Sequence, residues 1–157
     1  MQYRDFSNTG WKVSEIGLGC WAIGSEWGDV TATDARGVLK TSLDNGVNFF
    51  DTADVYGDGR SEKFVGELIK STSEKIFVAT KAGRRLSPHT PEGYNLKNIE
   101  KFINRSLTNL GVDYIDLLQL HCPPSEICPK KETYEMMDEL VKLGKIANYG
   151  VSVEKVS

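Results

Sequence analysis

The sequence predicts an α/β chain built on a parallel sheet, and three observations carry that prediction. Apolar runs of strand length begin near Ile16, Val47, Ile76, Tyr114 and Ile146, spaced by roughly thirty residues, about the length of one strand-helix-strand repeat. Between them lie four segments whose apolar residues recur at helical spacing. The long stretches without periodicity, Cys20 to Thr31, Ala82 to Asn95 and Cys122 to Lys130, each follow a strand rather than a helix, which is where folds of this kind keep their sites.

The elements follow in order. Gln2 to Val13, around the turn chemistry of Asn8-Thr9-Gly10, reads as a short hairpin that caps the main fold. The first helix puts Ala35, Val38, Leu39 and Leu43 on one face, with Thr33 as its N-cap and Gly46 to end it. The second carries Phe64, Val65, Leu68 and Ile69. The third repeats Ile99, Phe102, Ile103, Leu107 and Leu110 and stops at Gly111, and the fourth uses Met137, Leu140 and Val141 and stops at Gly144. The sum is a hairpin followed by five strands alternating with four helices, in right-handed crossovers, expected to form a single domain over residues 1–157.

Composition narrows the function. With 39% apolar and 26% charged residues the chain resembles an ordinary globular unit, and its net charge of −3 without dense runs of either sign argues against nucleic acid or an acidic membrane surface as partner. The first residues carry no basic stretch leading into an apolar one, and no window approaches the roughly eighteen apolar residues of a membrane span; the expected location is the cytoplasm. Three cysteines, Cys20, Cys122 and Cys128, are read as reduced thiols. His121, Cys122 and Cys128 have suitable ligand chemistry for zinc, but their spacing is wrong and a fourth ligand is lacking, so no metal is expected.

Three successive apolar strands end on ionisable side chains: Val47–Asp51, Ile76–Lys81 and Ile115–His121. In a parallel barrel all strands point one way, so Asp51, Lys81 and His121 should meet at the carboxyl-end mouth, where barrel enzymes place catalysis. Tyr56 follows five residues after Asp51, in the loop above. A free phenol has a pKa of about 10, and a neighbouring ammonium favours the phenolate; Lys81, paired with Asp51, is the expected neighbour. A positioned acid beside a histidine suits reactions in which charge develops on a carbonyl oxygen. Reduction of an aldehyde or ketone is one, and since no side chain delivers hydride it requires a nicotinamide cofactor. Singly, each residue has a plainer reading: Asp51 as a turn cap, Lys81 as a solvated strand end, Tyr56 as a surface aromatic, His121 as a satisfied core histidine. Their joint placement favours the site.

The stretch Phe50-Asp51-Thr52-Ala53-Asp54-Val55-Tyr56-Gly57, with Ser61-Glu62 and Val65-Gly66-Glu67 after it, resembles the aldo-keto reductase signature. Val78-Ala79-Thr80-Lys81, Asp113-Tyr114-Ile115-Asp116-Leu117 with His121, and Gly150-Val151-Ser152 resemble three further strands of that family. The resemblance implies a TIM (β/α)₈ barrel of the aldo-keto reductase type, of which about five strands and four helices are present. It implies Tyr56 as proton donor, Lys81 and Asp51 as its tuning pair, and His121 orienting the carbonyl oxygen. It also places Trp21, Asp51 and Ser152 at the cofactor, with Trp21, Tyr56 and His121 at the substrate. The family commonly has Asn after that serine; here Val153 stands instead. The implied cofactor is NADPH, with NADH as the alternative, bound mainly through the last two βα units of the whole barrel. Neither Gly17-Leu18-Gly19 nor Gly57-Asp58-Gly59 fits a Rossmann fingerprint, and both are read as turn glycines.

A whole barrel needs about 250 residues, so this chain is expected to lack three strands and their helices, and its open edges to favour self-association. The alternative to an NADPH-dependent carbonyl reductase is a non-catalytic half-barrel or interaction module; a metal-dependent hydrolase using His121 and Asp51 is the more distant one. Arg84 and Arg85 either reach a substrate carboxylate or phosphate or are a solvated loop pair. Trp21 is read as part of an aromatic pocket, and Trp27 is left open between pocket and lid.

Overall fold

The computed structural model describes residues 1–24 and 28–154; Trp27 lies outside the described residues. Strands β1 (Tyr3–Phe6) and β2 (Trp11–Ser14) form the antiparallel hairpin. There follow β3 (Leu18–Gly19), α1 (Ala32–Asp44), β4 (Phe49–Asp51), α2 (Arg60–Ser71), β5 (Phe77–Ala82), α3 (Leu96–Leu110), β6 (Ile115–His121), α4 (Lys131–Lys142) and β7 (Ile146–Ser152). Strands β3 to β7 pair in sequence order, all parallel, in one five-stranded sheet. This is a partial (β/α)₈ barrel with a leading hairpin.

The hairpin is held by aromatic packing at the start of the strands. Phe6 lies 5.4 Å from Phe49, the first residue of β4, and Trp11 stacks at 4.7 Å on Phe77, the first residue of β5. Asn48 joins the two units, its side chain accepting from the Ser14 N–H at 2.7 Å and donating to the Lys12 carbonyl at 2.9 Å. The hairpin therefore covers the amino ends of the strands and leaves their carboxyl ends to the site.

The helices bury the faces their periodicity predicts, with local corrections. Phe50, Val78 and Leu118 are buried in one cluster with Leu39, Val65, Ile99 and Ile103. Because side chains alternate along a strand, Asp51, Lys81, Gln119 and His121 turn to the opposite, inner face. Val38 is exposed rather than buried. The N-cap of α1 is Thr31, not Thr33: Thr31 Oγ1 accepts from the Asp34 N–H at 3.1 Å while Asp34 reaches back to the Thr31 N–H, a reciprocal box that Thr33 has no acid three residues on to build. The first strand is shorter than its apolar run: Ile16 precedes β3 and is exposed. The long loops also contain short 3₁₀ turns at Ala22–Gly24, Pro91–Gly93 and Ser125–Ile127. Among the described residues no helix is long and apolar enough to cross a membrane.

Candidate active site

Asp51 ends β4, Lys81 is the penultimate residue of β5 and His121 ends β6. The register sets them side by side at one rim: Lys81 pairs with Gln119, and His121 with Ser152. Lys81, only 4% exposed, places Nζ 2.5 Å from Asp51 Oδ1, 2.8 Å from the Thr52 carbonyl oxygen and 3.4 Å from Tyr56 Oη. The ammonium also lies 5.0 Å from the centre of the Tyr56 ring. A buried ammonium needs a counter-ion and filled hydrogen bonds, and Asp51 with the Thr52 carbonyl supplies both. The expected contact of residues 81 and 56 is present.

Tyr56 is held by a glycine-tight turn. At Gly57 the backbone takes φ +57, and a Cβ there would come within 2.2 Å of the Gly24 carbonyl oxygen. No side chain but hydrogen allows that approach, which presses the Tyr56 turn against the turn at Ala22–Gly24. The Arg60 guanidinium ties the same two segments, donating to the carbonyls of Ile23 at 2.8 Å and Val30 at 2.7 Å. The result brings the Trp21 ring to 6.0 Å from Tyr56, nearly parallel, and the His121 ring to 5.9 Å from it, edge-on. Trp21, Tyr56 and His121 thus line one cavity of about 390 Å³ together with Val55, Arg84, Cys122 and Glu154.

The charge state of His121 follows from its surroundings. Burial first, then the Lys81 and Arg84 cations, hold its pKa down to about 4, so the imidazole is neutral at physiological pH. Its Nδ1 is buried without a hydrogen-bond partner. Cys20, below the rim, is buried too, and burial followed by the Asp51 charge pushes its thiol up to about 12, which leaves it inert. The described residues hold no cluster of three or more His, Cys, Asp or Glu side chains able to bind a metal.

Two features escaped the sequence reading. Gln119 Nε2 donates to Asp51 Oδ2 at 3.2 Å, fixing the oxygen that Lys81 leaves. A polar residue inside an apolar strand, two positions before His121 and hence on its face, was the available signal. The second is a buried set behind the rim: Glu62 Oε1 accepts from Thr80 Oγ1 at 2.7 Å and Oε2 from Asn109 Nδ2 at 2.8 Å, while Thr52 and Ser61 hydroxyls meet at 2.8 Å. Of the adjacent arginines, Arg84 lines the cavity, whereas Arg85 faces Asp54 at 3.4 Å and bonds Asp58.

The sequence model of the aldo/keto reductase family matches residues 15–157. The chain belongs to that family. The aldo-keto reductase YhdN of Bacillus subtilis is 38% identical over 160 aligned residues, which cover 97% of this chain and 47% of the relative. In three dimensions, the holo form of an aldo-keto reductase from Bacillus halodurans matches with a TM-score of 0.84 at 34% identity, over 99% of this chain and 51% of the other. An aldo/keto reductase of Klebsiella pneumoniae, solved with NADP and acetate, matches with a TM-score of 0.75 at 30% identity, over 94% of this chain and 48% of the other. The chain spans about half the length of these aldo-keto reductases.

Proposed function

We propose that this chain supplies the catalytic corner of an NADPH-dependent reductase of aldehydes or ketones, with Tyr56 as the proton donor. The observation that carries the reading is the buried Lys81 ammonium, 2.5 Å from Asp51 and 3.4 Å from the Tyr56 hydroxyl at the mouth of a cavity. Tyr56 gives its proton to the carbonyl oxygen, and the adjacent ammonium steadies the oxyanion left on the phenol. Neutral His121 offers one N–H to the same carbonyl oxygen and fixes its direction. Asp51, held in turn by Gln119, keeps Lys81 aimed.

The residues present fit the nicotinamide end of the cofactor. Trp21 presents a partly exposed indole beside Tyr56, and Ser152, itself half-buried, stands next to His121 across the ladder. These two would hold the ring and its carboxamide. When bound, the nicotinamide supplies the hydride that reaches the carbonyl carbon. A solved relative holding NADP supports NADPH over NADH.

The test is oxidation of NADPH by 4-nitrobenzaldehyde, using the protein expressed from its full reading frame, with NADH in parallel. Tyr56→Phe is expected to lower turnover by roughly a hundredfold or more while cofactor affinity, read from quenching of tryptophan fluorescence, changes little. An unaltered rate removes Tyr56 from the role of acid.

A further inference from the structure

The cavity contains a cation for which proton donation and carbonyl binding have no use. Arg84 lies three residues beyond Lys81, just past a turn at Gly83, where φ is +114 and a Cβ would sit 2.6 Å from the Tyr94 ring. That packing fixes the turn and directs residue 84 to the cavity wall, alongside Tyr56 and His121. Its neighbour Arg85 is committed elsewhere, to Asp54 and Asp58.

The partners of Arg84 are informative. The guanidinium meets the Glu154 carboxylate at 3.3 Å, and the Cys122 thiol lies against both groups. Both charged side chains remain open to solvent, 48% for Arg84 and 71% for Glu154. An exposed single-contact pair of this kind is weak, whereas a guanidinium can grip a carboxylate through two parallel N–H donors. Among the described residues, Lys81 is buried against Asp51 and His121 is neutral, so neither is a free charge at the rim. A carboxylate already rests on Arg84, supplied by the chain itself.

We propose that Arg84 is the recognition group for carbonyl substrates bearing a carboxylate, and that Glu154 occupies that position until such a substrate displaces it. The inference rests on the reductase reading and adds the substrate class. Catalysis at the carbonyl is left to Tyr56, and Arg84 fixes the far end of the molecule.

The experiment compares 4-carboxybenzaldehyde with 4-nitrobenzaldehyde, which share a ring and differ in charge, in the protein expressed from its full reading frame. The readout is the ratio of kcat/KM for the carboxylated over the nitro compound. Arg84→Gln is expected to lower this ratio roughly tenfold or more, through KM for the carboxylated aldehyde, because one charge-assisted bidentate contact is lost. Glu154→Gln is expected to raise the ratio, since the internal competitor loses its charge. A ratio unmoved by both variants, or moved by both in one direction, overturns the assignment of Arg84 while the reductase reading stands. Absence of NADPH oxidation with either aldehyde in the unaltered protein overturns both.

Discussion

Asp54 Oδ2 lies 3.4 Å from Nε of Arg85, an ion pair with no hydrogen bond, and the carboxylate is fully buried two residues before Tyr56. The contact does not offset its surroundings. Burial foremost, and then the Glu62 carboxylate, push the Asp54 pKa from 3.8 up to about 7, against the opposing pull of Arg85 and Arg105. Between those values the folded chain retains a proton that the unfolded chain has released. The stability this group contributes must therefore fall as pH rises from about 4 to about 7, by an amount on the order of a few kcal/mol. Asp54→Asn keeps the shape and removes the ionisation. Urea midpoints at pH 4.5, 6, 7 and 8 should show the parent losing stability relative to the variant across that window. A difference independent of pH would mean that Asp54 ionises normally.

His121 gives the opposite dependence. Its pKa is lowered from 6.5 to about 4, by burial first and then by Lys81 and Arg84. The unfolded chain takes up a proton near 6.5 and the folded chain only near 4, so this group's contribution is complete above 6.5 and is lost as pH falls toward 4. NMR of the ring, assigned by comparison with His121→Asn, should show shifts constant from pH 8 to 5.5 and moving only near 4. By the same reasoning the pH profile of the proposed carbonyl reduction should have no acid limb from His121 above about pH 5. A ring that titrates with a midpoint above 6 would put an imidazolium in the cavity and end the role proposed for it.

What the sequence made legible, and what it left hidden, divides along the range of the interactions. Strand ends at Asp51, Lys81 and His121 could be placed because alternation and strand length are local properties, and parallel register converts them into neighbours. The helices were readable from apolar spacing, and Gly111 and Gly144 marked their ends. The Thr31 cap was misplaced by two residues, because Thr31 and Thr33 both have capping chemistry and only the reciprocal bond to Asp34 separates them. Arg84 and Arg85 were indistinguishable in sequence. Their separation, one to the cavity and one to Asp58, depends on the turn at Gly83 and on charges from distant segments. The Glu62 set was invisible for a similar reason, since Thr80 and Asn109 reach it from other elements.

Two helical glycines separate close packing from mere tolerance. Alanine favours a helix over glycine by about 1 kcal/mol, so both substitutions start with the same gain. At Gly37 in α1 nothing lies within 4 Å of the place an added methyl would take, and Gly37→Ala should stabilise by about 0.5–1 kcal/mol. At Gly66 in α2 the added methyl would stand 2.4 Å from the Leu110 carbonyl oxygen and 2.9 Å from that of Asn109. These are backbone atoms at the end of α3 and cannot rotate away, so α2 and α3 must separate, at a cost of about 1–3 kcal/mol or more that exceeds the helical gain. Urea denaturation of the two variants should move the midpoint in opposite directions. The damage at Gly66 should also reach the site, because Arg60 at the start of α2 bonds the carbonyls of Val30 and of Ile23, which follows Trp21 by two residues. Gly66→Ala is therefore expected to lose turnover as well as stability, and a variant as stable as the parent would show that the two helices are not in the contact described.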